Sequence, residues 1–354
     1  MAVHFDLERM EQVRENHMKW WRGELGRPLA KIIIEDMYEA EELEIPVISQ
    51  ANCLDFSWTP EQVIEALDNH LSRQEYLGDA FPTVDFCFFG PGIVAAFCSA
   101  RMDNSTGNMW LFPQEELEIE DIHVKYDPNN PIVQRIKAIY RAGLEKWKGT
   151  VIMTMPDLGG VMDIAAVFRG SENLLMDLYE SPEEVKRLNE EIQTAWYEAF
   201  WDFAEVLKPQ NAYSHFSGLL STTPSYIVQS DFTYMIGNPM FKEFVLDTIR
   251  TDTERLDNVI FHLDGIGELR HLDDLLGLEK LKAIQWVFGD GQPQADSWMD
   301  VHHKIVNAGK GLMVCGDPES NLKVLPQLSG KQVYISNTLK KDQMELAQKL
   351  ISVR

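Results

Sequence analysis

A histidine and an aspartate stand two residues apart at the end of an apolar run, in the stretch VIFHLDGIGELRHLDDLL, Val259 to Leu276. In an extended strand, residues two apart point to the same side. His262 and Asp264 therefore share a face, and Gly265 frees the chain to turn just beyond them. An unpaired His and Asp would be costly against an apolar helix layer. The pair is expected at an open strand end, with His271, Asp273 and Asp274 behind it as exposed or capping residues.

Other apolar runs end in the same way. VIMTMPDLGG puts Asp157 past its strand, with Gly159 and Gly160 allowing close approach of a ligand. IVQSDFTYMI ends on Asp231 with Tyr234 behind it, and AIQWVFGDGQ presents Trp286 and then Asp290. LMVCGDP ends on Cys315, and VYISNT on Ser336 and Asn337. Asp and Gly also build ordinary turns, but their recurrence at so many ends predicts an acidic mouth with an aromatic wall and one thiol. Tyr234, Trp286, Asp290 and Asn337 are the expected substrate contacts.

Two chemistries suit such a set. Zn²⁺ takes imidazole nitrogen, thiolate sulfur and carboxylate oxygen, so His262, Asp264 and Cys315 are candidate metal ligands. Alternatively Asp157, Asp231 and Asp264 act without metal, one acid being kept protonated by the others and serving as general acid. A G-x-S-x-G elbow and a phosphate-binding P-loop are both missing.

The elements that must position these residues are short β-branched runs separated by helical patterns. Runs begin at Lys31, Thr83, Thr150, Asn258, Leu281, Gly311 and Gln332, and an eighth lies among AYSHF and SYIVQSDF. The gaps between the last four can each hold one helix, which predicts repeated βα units and a parallel sheet. The clearest helix is SPEEVKRLNEEIQTAWYEAFWDFAEVL, with Ser181 as cap, Pro182 in the first turn and Val185, Leu188, Ile192, Trp196 and Phe200 at helical spacing. SWMDVHHKIVNAGK is a second, closed by Gly309. Eight strands in one chain of this size predict an α/β fold, a (β/α)8 TIM barrel over residues 1–354 with an N-terminal helical extension. The segment from Phe112 to Pro131 reads as an excursion within that domain. A doubly wound sheet is the competitor, but no GxGxxG follows the first strand.

The chain has 354 residues and a formal net charge of −24. That charge argues against nucleic acid and against docking on an anionic membrane. No apolar run reaches the ~18 residues of a membrane span. The charged start does not read as a signal peptide, and four scattered cysteines do not read as a disulfide scaffold. A cytoplasmic protein acting on a small molecule is expected.

Several pieces together resemble the uroporphyrinogen decarboxylase superfamily, which includes corrinoid-dependent methyltransferases. They are WWRGELGRPL, FFGPGIVAAF, FRGSENLLMDLYESPEEVKRL, SDFTYMIGNPMFKEFV, FHLDG and GLMVCGDPES, spread over most of the chain. The resemblance implies a (β/α)8 barrel with its site at the carboxyl ends of the strands. It departs in two places. The Arg-rich segment of the true decarboxylases is replaced by the acidic KIIIEDMYEAEELE. The methyltransferases' His-x-Cys zinc motif is here His262-x-Asp264, and the last strand ends ISNT without a cysteine. What the resemblance implies is methyl transfer to a thiol or hydroxyl acceptor, from a methylated substrate or from a corrinoid carried on a partner protein. A metal-free decarboxylase is the alternative, and a non-catalytic ligand-binding barrel a third.

Overall fold

The computed structural model describes residues 3–354. Its strands are β1 (Leu29–Ile34), β2 (Glu75–Gly78), β3 (Thr83–Val84), β4 (Arg101–Asp103), β5 (Trp110–Phe112), β6 (Ile152–Met153) and β7 (Tyr213–Ser214). There follow β8 (Leu220–Ser221), β9 (Ser225–Gln229), β10 (Asn258–Asp264), β11 (Ala283–Val287), β12 (Gly311–Val314) and β13 (Val333–Leu339). Seven form one sheet in the order β2-β1-β13-β12-β11-β10-β9. All its pairings are parallel except β1 with β2. The fold is thus mixed α/β around a parallel central sheet.

The expected run of four βα units is present from β10 to β13. The strand near Val151 differs: β6 has two residues and pairs in parallel with β3, outside the main ladder. Proline explains its shortness in part, since Pro82 precedes β3, Pro156 follows β6, and neither has an N–H to give a ladder. The main ladder ends at β2 and β9 rather than returning on itself. Met155 N does donate to Ser214 O at 2.9 Å, tying the chain after β6 to β7.

Side-chain parity sorts the sheet into two faces. Val259, Phe261, Leu263, Ile284, Trp286, Val314 and Ile335 pack with the helices. Their neighbours Ile260, Ala283, Met313 and Tyr334 form a second cluster on the opposite face, joined by Trp20 and Trp21 of the helix Leu7–Trp21. That helix is capped by Asp6, whose side chain accepts from Arg9 N at 2.8 Å. Trp21 Nε1 donates to Leu220 O at 3.0 Å, so the helix is anchored to β8.

The long helix spans Pro182–Leu207 and buries its Val185, Leu188, Ile192, Trp196 and Phe200 stripe. Ser181 is its first flanking residue but makes no side-chain capping bond; Pro182 and two early glutamates mark the start instead. The helix Met299–Asn307 ends before Gly309, whose φ of 78° is the left-handed turn that glycine permits.

Candidate metal and substrate site

The parallel register carries the inward parity of β10 across the sheet. His262 lies beside Gln229 of β9 on one side and Gln285 of β11 on the other. Its Nδ1 meets Gln285 Oε1 in a short hydrogen bond. With the Nδ1 proton donated to that oxygen, Nε2 of the neutral ring keeps its lone pair, which a cation shared with the carboxylates could take up. Nε2 is 3.9 Å from Asp264 Oδ2. One donor atom each from Asp231, His262 and Asp264 lie within 4.8 Å of one another.

Two carboxyls, the buried Glu268 and the half-buried Asp163, hold this constellation in place. β10 ends at Asp264, and Gly265 turns the chain at φ 81°. Glu268, in the turn that follows, accepts from Asp264 N at 2.9 Å and from Thr233 Oγ1 at 2.8 Å. It thereby joins the end of β10 to the helical turn Asp231–Met235. Asp163 accepts from the N–H groups of Asp231 (3.1 Å) and Phe232 (2.8 Å) at the start of that turn. Burial pushes Glu268 up to about 9. Burial and the Asp231 charge push Asp163 up to about 7, against the backbone N–H groups it accepts from.

Asp231 itself is raised by burial and by Asp264, with His262 opposing. Asp157 accepts from Gly159 N at 3.1 Å and from Gln229 Nε2 at 3.4 Å. Burial, with Asp231, Asp85 and Asp163 nearby, pushes it up to about 7 despite the Gly159 bond. The region is a nest of carboxyls that cannot all ionise together.

Asp231 and Asp264 open into a cleft of about 410 Å³, walled by Tyr234, Ile266, Phe288 and Asp290. Tyr234 lies against the backbone of Gly267, where a methyl group would meet its ring at 2.5 Å. Of the residues expected at the mouth, Asp231, Tyr234, Asp264 and Asp290 share this cleft, and His262 adjoins it.

Other expectations are corrected. Trp286 is fully buried and faces the helices, its ring 5.5 Å from that of Trp298. The reason is parity: Gln285 pairs with His262, so its neighbour Trp286 must point the other way. Asn337 lies outside the cleft, donating to Gly316 O at 3.1 Å and accepting from Asn321 at 3.0 Å. Cys315 stands outside the cluster of Asp231, His262 and Asp264. Burial pushes its thiol up to about 12, although Gln285 bonds to it. His271 occupies the N-cap position of the helix Leu272–Leu276 but makes no side-chain capping bond and is not exposed: it is buried, stacked on Phe241 and bonded to Asn238 and Thr233 O. Asp273 is exposed, and Asp274 pairs with Lys242 and Asn238. Backbone comes close at both glycines: a methyl on Gly159 would lie 2.4 Å from Gly92 Cα, and one on Gly160 2.2 Å from Gln229 O.

Sequence reasoning missed Gln285, Asp163 and Glu268. Gln285 left a signal, as the one polar residue inside the run AIQWV. Asp163 and Glu268 resemble ordinary surface acids in sequence, because their partners in the Asp231–Met235 turn lie tens of residues away along the chain.

The donor set suits a divalent cation. An imidazole with its other nitrogen hydrogen-bonded to a carbonyl, beside two carboxylates, is the usual support for a metal-binding His. With no thiolate in the set, harder ions such as Mn²⁺ become as suitable as Zn²⁺.

No family model and no curated protein matches the chain. Among solved structures it is similar to a methyltransferase from Methanosarcina mazei, with a TM-score of 0.57 and 10% identity. The match covers 96% of this chain and 97% of that one. At this identity the likeness is one of fold, extending from end to end of both chains.

Proposed function

We propose that the protein is a cytoplasmic methyl-transfer enzyme of the uroporphyrinogen decarboxylase superfamily. On this reading the sheet and the short ladder of β3 and β6 belong to one closed (β/α)8 barrel, a single domain with the helix Leu7–Trp21 as its N-terminal extension. The cleft beside Asp231 and Asp264 is the reaction site for a small molecule. The observation that carries the proposal is the convergence of Asp231, His262 and Asp264 donor atoms within 4.8 Å at the wall of that cleft. The end-to-end likeness of fold to a methyltransferase supports it.

A divalent ion held there would lower the pKa of an acceptor hydroxyl or thiol and so supply the nucleophile. The chain's own groups do the rest. Gln285 fixes the His262 tautomer and ring plane. Asp163 and Glu268 fix the backbone that carries Asp231 and Asp264. Asp157 lies close enough to feel the Asp231 charge and takes up or returns the acceptor's proton. The methyl donor is a methylated substrate or a corrinoid presented by a partner protein.

Asp157 also favours a second reading, a metal-free decarboxylase. A carboxyl pushed up to about 7 within reach of the Asp231 charge can protonate a carbanion as general acid.

Metal content decides between them. Protein purified without chelator is expected to carry one equivalent of divalent metal, measured by mass spectrometry of the elements. His262→Ala is expected to lose it, and Gln285→Leu to bind it about 10- to 100-fold more weakly. Stoichiometric metal surviving in His262→Ala would remove His262 from the site. Wild-type protein that holds no metal even after incubation with Zn²⁺ or Mn²⁺ would leave the carboxyl-only decarboxylase.

A further inference from the structure

The cleft has a sign and a texture that narrow its ligand. Asp231, Asp264 and Asp290 line it, and no Lys or Arg does so among the described residues. Neither Arg270 nor Lys242 lines it. Arg270 turns its Nε onto Gly267 O at 2.7 Å, and Lys242 lies 3.0 Å from Asp274. The rest of the wall is apolar or aromatic. Phe288 is braced by stacking on Trp298, with ring planes 9° apart. Tyr234 is about half exposed and rests over Gly267.

We infer that the cleft binds a methylated cation, an ammonium or sulfonium group carrying its methyls against Tyr234, Ile266 and Phe288. The inference rests on the cleft being the reaction site and names the substrate class for it. An anionic ligand would find no counter-charge among the side chains that line the cleft. A neutral apolar ligand would leave three carboxylates to be dehydrated without compensation. A methylated cation meets both demands, because its charge is attracted to carboxylates and ring faces while its methyl surface is weakly hydrated. A divalent ion on Asp231, His262 and Asp264 would offset two of the carboxylates. Asp290 would still be left for the organic cation. Among the described residues Asp290 accepts only from its own neighbour, Gly291 N, at 2.9 Å.

The test uses choline and its uncharged isostere 3,3-dimethylbutan-1-ol, titrated into the full chain by calorimetry. Choline is expected to saturate one site and to bind at least about 10-fold more tightly than the isostere. Asp290→Asn and Phe288→Leu are each expected to weaken choline about 3- to 10-fold. Gln292→Lys, which adds a cation to the same wall, is expected to abolish binding. Circular dichroism checks that each variant is folded. Asp290→Asn and Gln292→Lys alter a loop and threaten folding least. Equal affinity for the two probes, or choline binding unmoved by both loop variants, overturns the inference. None of these variants touches the metal set. Choline binding that persists in metal-free His262→Ala protein therefore upholds this inference even where the metal-dependent reading has failed.

Discussion

Asp252 sits in the helix layer with one oxygen, Oδ1, accepting from both Tyr197 Oη (2.6 Å) and Gln193 Nε2 (3.1 Å). Burial outweighs those two bonds and pushes its carboxyl from 3.8 up to about 7. The folded value lies above the unfolded one, so the native state holds the extra proton. That contribution to stability is fully present below about pH 3.8 and is lost as the pH rises through about 7. Asparagine offers the same acceptor at Oδ1 and cannot ionise. Asp252→Asn is therefore expected to gain on the wild type between pH 5 and pH 8, by roughly 3 kcal/mol. Urea unfolding of both proteins across that range measures the difference. A gap that stays constant with pH would mean that Asp252 ionises normally in the fold. The same physics governs Asp157 and Asp163, but those residues adjoin the candidate metal ligands, and a bound ion would change their titration.

Elements meet at the site through backbone contact, and Gly160 is the tightest example. A Cβ there would lie 2.2 Å from Gln229 O, at the end of β9, and 2.4 Å from Asp163 Oδ2. One neighbour is backbone and the other is held by two N–H donors, so neither gives way cheaply. Gly160→Ala is expected to cost about 2–3 kcal/mol by overpacking and to loosen the Asp231 turn that Asp163 caps. Chemical unfolding measures the first effect. A change under about 0.5 kcal/mol, the range of an uneventful surface substitution, would show that β9 and the helix Val161–Arg169 slide freely past each other. This contact also shows what was legible in the sequence. The run of βα units from β10 to β13 could be read, because each strand is a β-branched stretch followed by room for a helix. The shared face of His262 and Asp264 could be read from the two-residue period. Trp286 could not be placed, because inward parity passes from strand to strand through the register, and the register of β10 with β11 is set by hydrogen bonds the sequence does not display. The two-residue strands β3, β6 and β7 are too short for any period to emerge. The Gly159–Gly160 pair was legible as a close approach, but not what approached.

At the scale of the whole molecule the dominant fact is charge. The chain carries 56 acidic and 32 basic side chains. No described helix is long and apolar enough to cross a membrane. Many of the ion pairs join neighbours three or four residues apart on exposed helix faces, such as Lys19–Glu15, Lys186–Glu183 and Lys349–Glu345. Such pairs contribute little each. The unpaired acids repel one another across the surface, and this self-repulsion favours expansion. Added salt acts on both terms, screening the attractive pairs and the general repulsion alike within a Debye length that falls from about 30 Å at 0.01 M to about 3 Å at 1 M. The attractive pairs are in close contact and are screened less than the long-range repulsion among the 24 excess negative charges, so relief of repulsion should prevail. The melting temperature is expected to rise by several degrees between 10 mM and 500 mM NaCl, followed by scanning calorimetry at pH 8, where the surface carboxylates are ionised. Matched runs with choline chloride separate screening from occupancy of the cleft. Equal ionic strength gives equal screening, so any additional rise with choline reports binding, and Gln292→Lys should erase that increment alone. A melting temperature that falls with NaCl would mean that the specific ion pairs outweigh the net charge, and the acidic surface would then be a stabilising network and not a cost.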